Sequence, residues 1–143
     1  MNALLSACFA NSIHSAIDAI PPNTVKFGGY FAIACECGFM EFAEYLFEKC
    51  TTQEIAFGFL IAITHHQAEI VTWLAQYFPH GSRVFYAALF AACGANDEKI
   101  AAIIAANIHE IPAPFAAQLL RYARNNSKLI AVIAALKINH PKI

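Results

Sequence analysis

Charge is scarce in this sequence. Asp, Glu, Lys and Arg make up 13% of its 143 residues, against 59% hydrophobic residues, and the mean hydropathy is +0.50. It nevertheless lacks a charge-free apolar run of the roughly 20 residues that a membrane-spanning helix needs. The best candidates, Ile55–Thr64 and Val84–Ala95, stop at His65-His66 and at Asp97, Glu98 and Lys99. The N-terminus also lacks the basic start of a signal peptide. Five cysteines, an odd number without framework spacing, point to reduced thiols and not to a disulfide scaffold. Reduced thiols, a cytoplasmic setting and no transmembrane segment are the expectation.

Catalytic signatures are missing too. There is no HExxH pair, no Walker-type or other Gly-rich phosphate loop and no Gly-x-Ser-x-Gly elbow. Gly28-Gly29 is a lone pair ahead of a helical stretch, read as giving the chain room at a turn. Acidic residues are absent from Ile111 onward, where Arg121, Arg124, Lys128, Lys137 and Lys142 give a balance of +5. Residues 1–110 carry four basic and ten acidic side chains, a balance of −6. The net charge of −1 hides this polarity.

What the sequence does contain is a repeat, and periods of this size point to stacked arrays. Gly38 has Ala34 four residues behind it and Phe42, Ala43 and Leu46 ahead. His66 has Ala62 behind and Ile70, Val71 and Leu74 ahead, and Asn96 has Ala92, Ile100, Ala101 and Ile104. Asn125 keeps the forward set Leu129, Ile130 and Ile133, but Arg121 stands where the alanine is expected. A weaker copy surrounds Asn11. The five anchors lie 27, 28, 30 and 29 residues apart. Gly, Asn and His best tolerate the left-handed backbone that ends a helix, so a shared tight turn is expected at each anchor. The forward positions i, i+1 and i+4 form one apolar face of a second helix. Pro21-Pro22-Asn23, Cys50-Thr51-Thr52, Pro79-His80-Gly81-Ser82 and Pro112-Ala113-Pro114 punctuate the copies as helix stops and caps.

The expected fold is all-α: one domain, 1–143, built as a solenoid of about five stacked helix-turn-helix units. Their approximate bounds are 1–23, 27–50, 55–78, 84–107 and 113–138. Phe31, Ala34, Cys35, Gly38, Glu41, Phe42, Ala43, Leu46 and Phe47 follow one another as the core of the ankyrin repeat does. AEIVTWL, residues 68–74, is a further match to that family. The chain thus resembles a degenerate ankyrin array. Its units are shorter than the family's 33 or so residues, and the Thr-Pro-Leu-His helix start is absent. Short connections are therefore expected in place of projecting hairpin fingers.

Cys8, Cys35 and Cys93 share the second small-residue register and read as buried hydrophobes. Cys37 and His65 share the next-to-turn register, but the equivalents Ala10, Ala95 and Arg124 offer no further ligands. Structural zinc takes four, so no metal, cofactor or catalytic residue is assigned. Tyr45, Trp73 and Tyr77 are read as packing residues, and Glu41 and Glu44 as a solvated face.

The resemblance implies a non-catalytic protein-interaction module, with contacts at the variable positions before each turn: Phe9, Glu36, Cys37, Thr64, His65 and Arg124. Gln53, His80 and Arg83 lie beside that surface if the loops turn the same way. The expected partner is another protein, and nucleic acid is not expected. Two alternatives stand beside this reading. One is self-association into a homo-oligomer through apolar surface and charge-polarised ends. The other is peripheral attachment to an anionic membrane through the basic C-terminal unit, which is otherwise a cap.

Overall fold

The computed structural model describes residues 12–139. They are mostly helical: α1 Ile13–Asp18, α2 Gly28–Cys37, α3 Met40–Phe47, α4 Thr52–Thr64, α5 Ala68–Ala75, α6 Val84–Gly94, α7 Glu98–Ala105, α8 Ala113–Ala123 and α9 Ser127–Ala134. Two short strands, β1 Glu110–Pro112 and β2 Lys137–Asn139, were not expected from the sequence. No helix among the described residues is long and apolar enough to cross a membrane. The chain divides into two compact units, Met1–Ile70 and Val71–Ile143.

In the first unit α2 packs on α4 and on α3, and α1 packs on α3. Like therefore packs on like: the first helices of successive hairpins touch, and so do the second helices. The α2–α4 contact is close because Gly58 faces Phe31 and Cys35 with no side chain of its own. Phe31, Ala34, Cys35, Phe42, Ala43, Leu46, Phe59, Ala62 and Ile63 are all fully buried. Helix α4 opens with a capping box in which Thr51 Oγ1 accepts from the Glu54 N–H and the Thr51 N–H donates to Glu54 Oε1 (2.8 Å). The same Glu54 carboxylate lies where a Cβ on Gly28 would sit. Gly28 thus makes room for a capping side chain, not for a turn.

The second unit repeats the pattern. Helix α6 packs on α7 and α8, and α9 packs on α7 and α8. The strands pair in parallel, Glu110 with Lys137, Ile111 with Ile138 and Pro112 with Asn139. Strand β1 runs directly into α8 and β2 follows α9, so the pair clasps both ends of that hairpin. The intervening hairpin is the crossover that parallel pairing requires. Tyr86 on α6 donates its hydroxyl to the Glu110 carbonyl (2.9 Å), and Lys137 Nζ lies 3.2 Å from Glu110 Oε1.

Three turns share one backbone design. Gly38, His66 and Asn96 have φ of 74°, 59° and 57°. After each of them, the N–H of Phe39, Gln67 or Asp97 donates five residues back to the carbonyl of Ala34, Ala62 or Ala92 (2.9, 2.9 and 3.0 Å). This is the bonding of a Schellman helix end. The left-handed turn expected at these anchors is present.

The fourth turn departs from it. There the Asn126 N–H donates to the Ala123 carbonyl (2.7 Å), and Arg124 takes φ −2° and ψ −63°. Asn125 is not among the residues of positive φ. The buried alanine that Arg121 was thought to replace is Ala123, six residues before buried Leu129. In the other three turns that separation is eight residues, Ala34 to Phe42, Ala62 to Ile70 and Ala92 to Ile100. The last hairpin therefore closes two residues more tightly. Phe9 and Asn11 lie outside the described residues.

Candidate functional site

The turns present the exposed side chains. In the first unit His65 is the C-cap of α4, and its Nδ1 lies 2.9 Å from the Ile61 carbonyl. That contact holds the ring with Nε2 facing Glu36 Oε1 at 3.2 Å, an ion pair when the imidazole is protonated. Both side chains are nearly half exposed, 43% and 48%. Gln67 completes the link between the two turns by donating Nε2–H to the Glu36 carbonyl (2.9 Å). Thr64 is exposed and donates its hydroxyl to the Ile61 carbonyl (3.0 Å). The partner of His65 across the turns is thus Glu36; Cys37, which shares the register of His65, is half-buried.

The second unit ties its turns together in the same way. Asn126 caps α9, its Oδ1 accepting from the N–H groups of Lys128 and Leu129 (both 3.1 Å). Its Nδ2 reaches back to Asn96 Oδ1 (2.8 Å) and Glu98 Oε2 (3.3 Å). The Glu98 carboxyl is held below its ordinary range, first by its own backbone N–H at the helix start and then by the Asn126 amide and Lys128. Arg124 is exposed beside this turn. In each unit a side chain of the later turn grips the earlier one, Gln67 in one case and Asn126 in the other.

The remaining candidates are scattered. Gln53 is exposed beside Gly28, Gly29 and Phe57. Arg83 is exposed just ahead of α6. His80 stacks edge-on against His109 with ring centroids 3.9 Å apart, a pairing that sequence spacing did not suggest. Tyr45 and Tyr77, read as packing residues, remain 39% and 43% exposed. Tyr45 lies over Phe42 and also carries the Lys49 ammonium 5.2 Å from its ring centroid.

The thiols bear on nucleophilic chemistry. Cys35 is fully buried, and burial pushes its pKa up to about 12, with a smaller contribution from Cys50. Burial alone raises Cys93 to about 11. Cys50 is also raised to about 11, by burial and then by the Glu54 carboxylate. A thiol acts as a nucleophile only as thiolate, so these three groups are kept neutral. The expected result is that Cys35 and Cys93 resist a thiol-reactive dye at about pH 8 and react fully in denaturant. Because the shifts are upward, labelling in the fold should stay slow as the pH passes the ordinary thiol value. Equal rates in folded and unfolded protein would overturn this assignment.

Comparisons of the chain with protein-family models, with curated proteins and with solved structures found no match.

Proposed function

We propose that the chain is a non-catalytic protein-interaction module of degenerate ankyrin-like hairpins. In this reading, helices stacked within each unit present side chains from their turns to another protein. The observation that carries it is the pairing of consecutive turns: Glu36 and His65, from different hairpins, stand 3.2 Å apart and nearly half exposed. A surface assembled from the turns of successive hairpins is what repeat proteins use for recognition. The like-on-like packing of helices in each unit and the three matching turns support the repeat reading.

The test is capture of a partner by the immobilised chain, compared with a Glu36→Ala, His65→Ala double variant. Partner affinity is expected to fall about tenfold or more, as for contacts near the centre of an interface. Folding should hardly change, because an exposed pair contributes roughly 0–1 kcal/mol. Parallel loss of melting temperature and binding would remove the assignment.

Self-association is a second reading, favoured by exposed apolar side chains. Phe57 is 57% exposed, Leu120 41%, Ile138 37% and Ile130 36%. Ile130 occupies the register in which Ala43, Val71 and Ala101 are fully buried. Absolute mass by light scattering, over a range of concentration and salt, separates the readings. A monomer throughout eliminates the homo-oligomer.

A further inference from the structure

The second unit carries a concave surface that the Glu36–His65 pair does not account for. One open groove of about 570 Å³ runs over the fourth turn and is lined by Asn96, Glu98, Tyr122, Arg124, Asn125 and Lys128, among others. A second of about 370 Å³ is lined by Gln118, Arg121, Tyr122 and Arg124. Both fall within the roughly 300–1,000 Å³ of ligand clefts. Tyr122 and Arg124 belong to both, which makes the two grooves neighbours along one face of the α8–α9 hairpin.

Charge, aromatic anchor and hydrogen-bonding groups coincide there. Arg121 and Arg124 are exposed and have no carboxylate partner among the described residues. Lys128 is only loosely engaged, 3.9 Å from Glu98. By contrast Lys137, in the same acid-free stretch of sequence, is held by Glu110 at 3.2 Å. Tyr122 is 61% exposed, yet its ring stands edge-on against Phe90 at a centroid distance of 5.8 Å and an interplanar angle of 86°. A tyrosine propped in this way loses little freedom on binding and is a common energetic anchor at protein interfaces. Asn126 is spent on internal bonds, which leaves the exposed Asn125 amide to a ligand's backbone.

We infer that this double groove is a docking site for an acidic, extended peptide segment of a partner protein. The inference rests on the interaction-module reading and gives it a partner chemistry. Carboxylates of the segment would pair with Arg121 and Arg124, whose planar guanidinium groups bind carboxylates bidentately, while its backbone lies across Tyr122 and Asn125. Nucleic acid fits less well, because three clustered cations on a chain of net charge −1 give little counterion release.

The test uses the full chain and fluorescence anisotropy of a short labelled peptide of alternating glutamate and alanine. Its lysine counterpart, a short oligothymidylate, and vesicles of phosphatidylcholine with phosphatidylserine serve as competing probes. Binding of the acidic peptide is expected to weaken with salt and to fall about tenfold or more in the Arg121→Glu, Arg124→Glu variant. Tyr122→Ala should reduce it severalfold, whereas Lys26→Glu, an exposed charge reversal in the first unit, should leave it within about twofold of the starting value. An equal loss with Lys26→Glu would reduce the effect to net charge and overturn the site. Tighter binding of oligothymidylate or vesicles would overturn it in favour of those ligands. If no acidic peptide binds while partner capture still depends on Glu36 and His65, the groove assignment falls and the interaction reading stands.

Discussion

Replacing Gly58 with alanine is expected to destabilise the first unit by about 1–3 kcal/mol, the range for overpacking a filled core. Intrinsic propensity argues the other way, since alanine is better than glycine by about 1 kcal/mol inside a helix. Space decides the sign. A Cβ at Gly58 would lie 2.6 Å from Phe31 Cδ1 and 3.1 Å from Cys35 Sγ, and would overlap Phe31 Cε1 outright. Phe31 and Cys35 are themselves fully buried, so the ring has nowhere to rotate and α2 must move away from α4. Gly29 and Gly94 provide the contrast, for both are helical and an added Cβ meets nothing within 4 Å. Alanine at either is expected to stabilise by roughly 0.5–1 kcal/mol. Urea denaturation of the three variants measures the difference. A Gly58→Ala midpoint equal to or above the parent's would mean that the α2–α4 contact is looser than the structure describes.

The same contact shows what could be read from the sequence. Phe31, Ala34, Phe42, Ala43 and Leu46 were legible as a buried set because helical periodicity and turn preference agree on them, and all are fully buried. The turns at His66 and Asn96 were legible for a narrower reason: few residues other than glycine accept a positive φ, and these are two of them. The fourth turn was misread because a fixed spacing was imposed on a hairpin that is two residues shorter. That spacing puts Arg121 in the register that Ala123 fills. The three-residue strands were illegible, since so short a segment carries no alternation to detect. Their pairing depends on residues 27 positions apart, Glu110 with Lys137.

The candidate site was partly legible in the same sense. Register singled out Glu36 and His65 but not their contact, since it sets His65 beside Cys37 and Glu36 beside Thr64. Neighbouring helical positions diverge in direction, and the Ile61 carbonyl aims the His65 ring at Glu36. The His80–His109 contact and the shape of the grooves around Tyr122 follow from tertiary placement, whereas the basic residues lining the grooves, Arg121, Arg124 and Lys128, stand out in the acid-free stretch of the sequence.

Gly38→Ala is expected to cost about 2–3 kcal/mol, and two separable causes add up to it. Gly38 sits at φ 74°, where a Cβ costs roughly 1–2 kcal/mol. The new methyl would also lie 2.9 Å from Gln67 Cδ and overlap the amide oxygen. Gln67 would have to release the Glu36 carbonyl, a bond of about 1 kcal/mol in its net contribution. A Gly38→Ala, Gln67→Ala double variant separates the two, because it lacks the amide that the methyl displaces. If the added cost of Gly38→Ala in the Gln67→Ala background is only the backbone share, the link between the turns is as described. His66 and Asn96 test the backbone share from the opposite side. Both hold a left-handed φ with a side chain present, so glycine removes up to about 1 kcal/mol of strain at each. Asn96→Gly also loses the bond from the Asn126 amide, about 1 kcal/mol, and should be close to neutral or slightly destabilising. Loss of stability on His66→Gly, measured by thermal unfolding, would show that the imidazole makes a contact worth more than the strain that glycine removes.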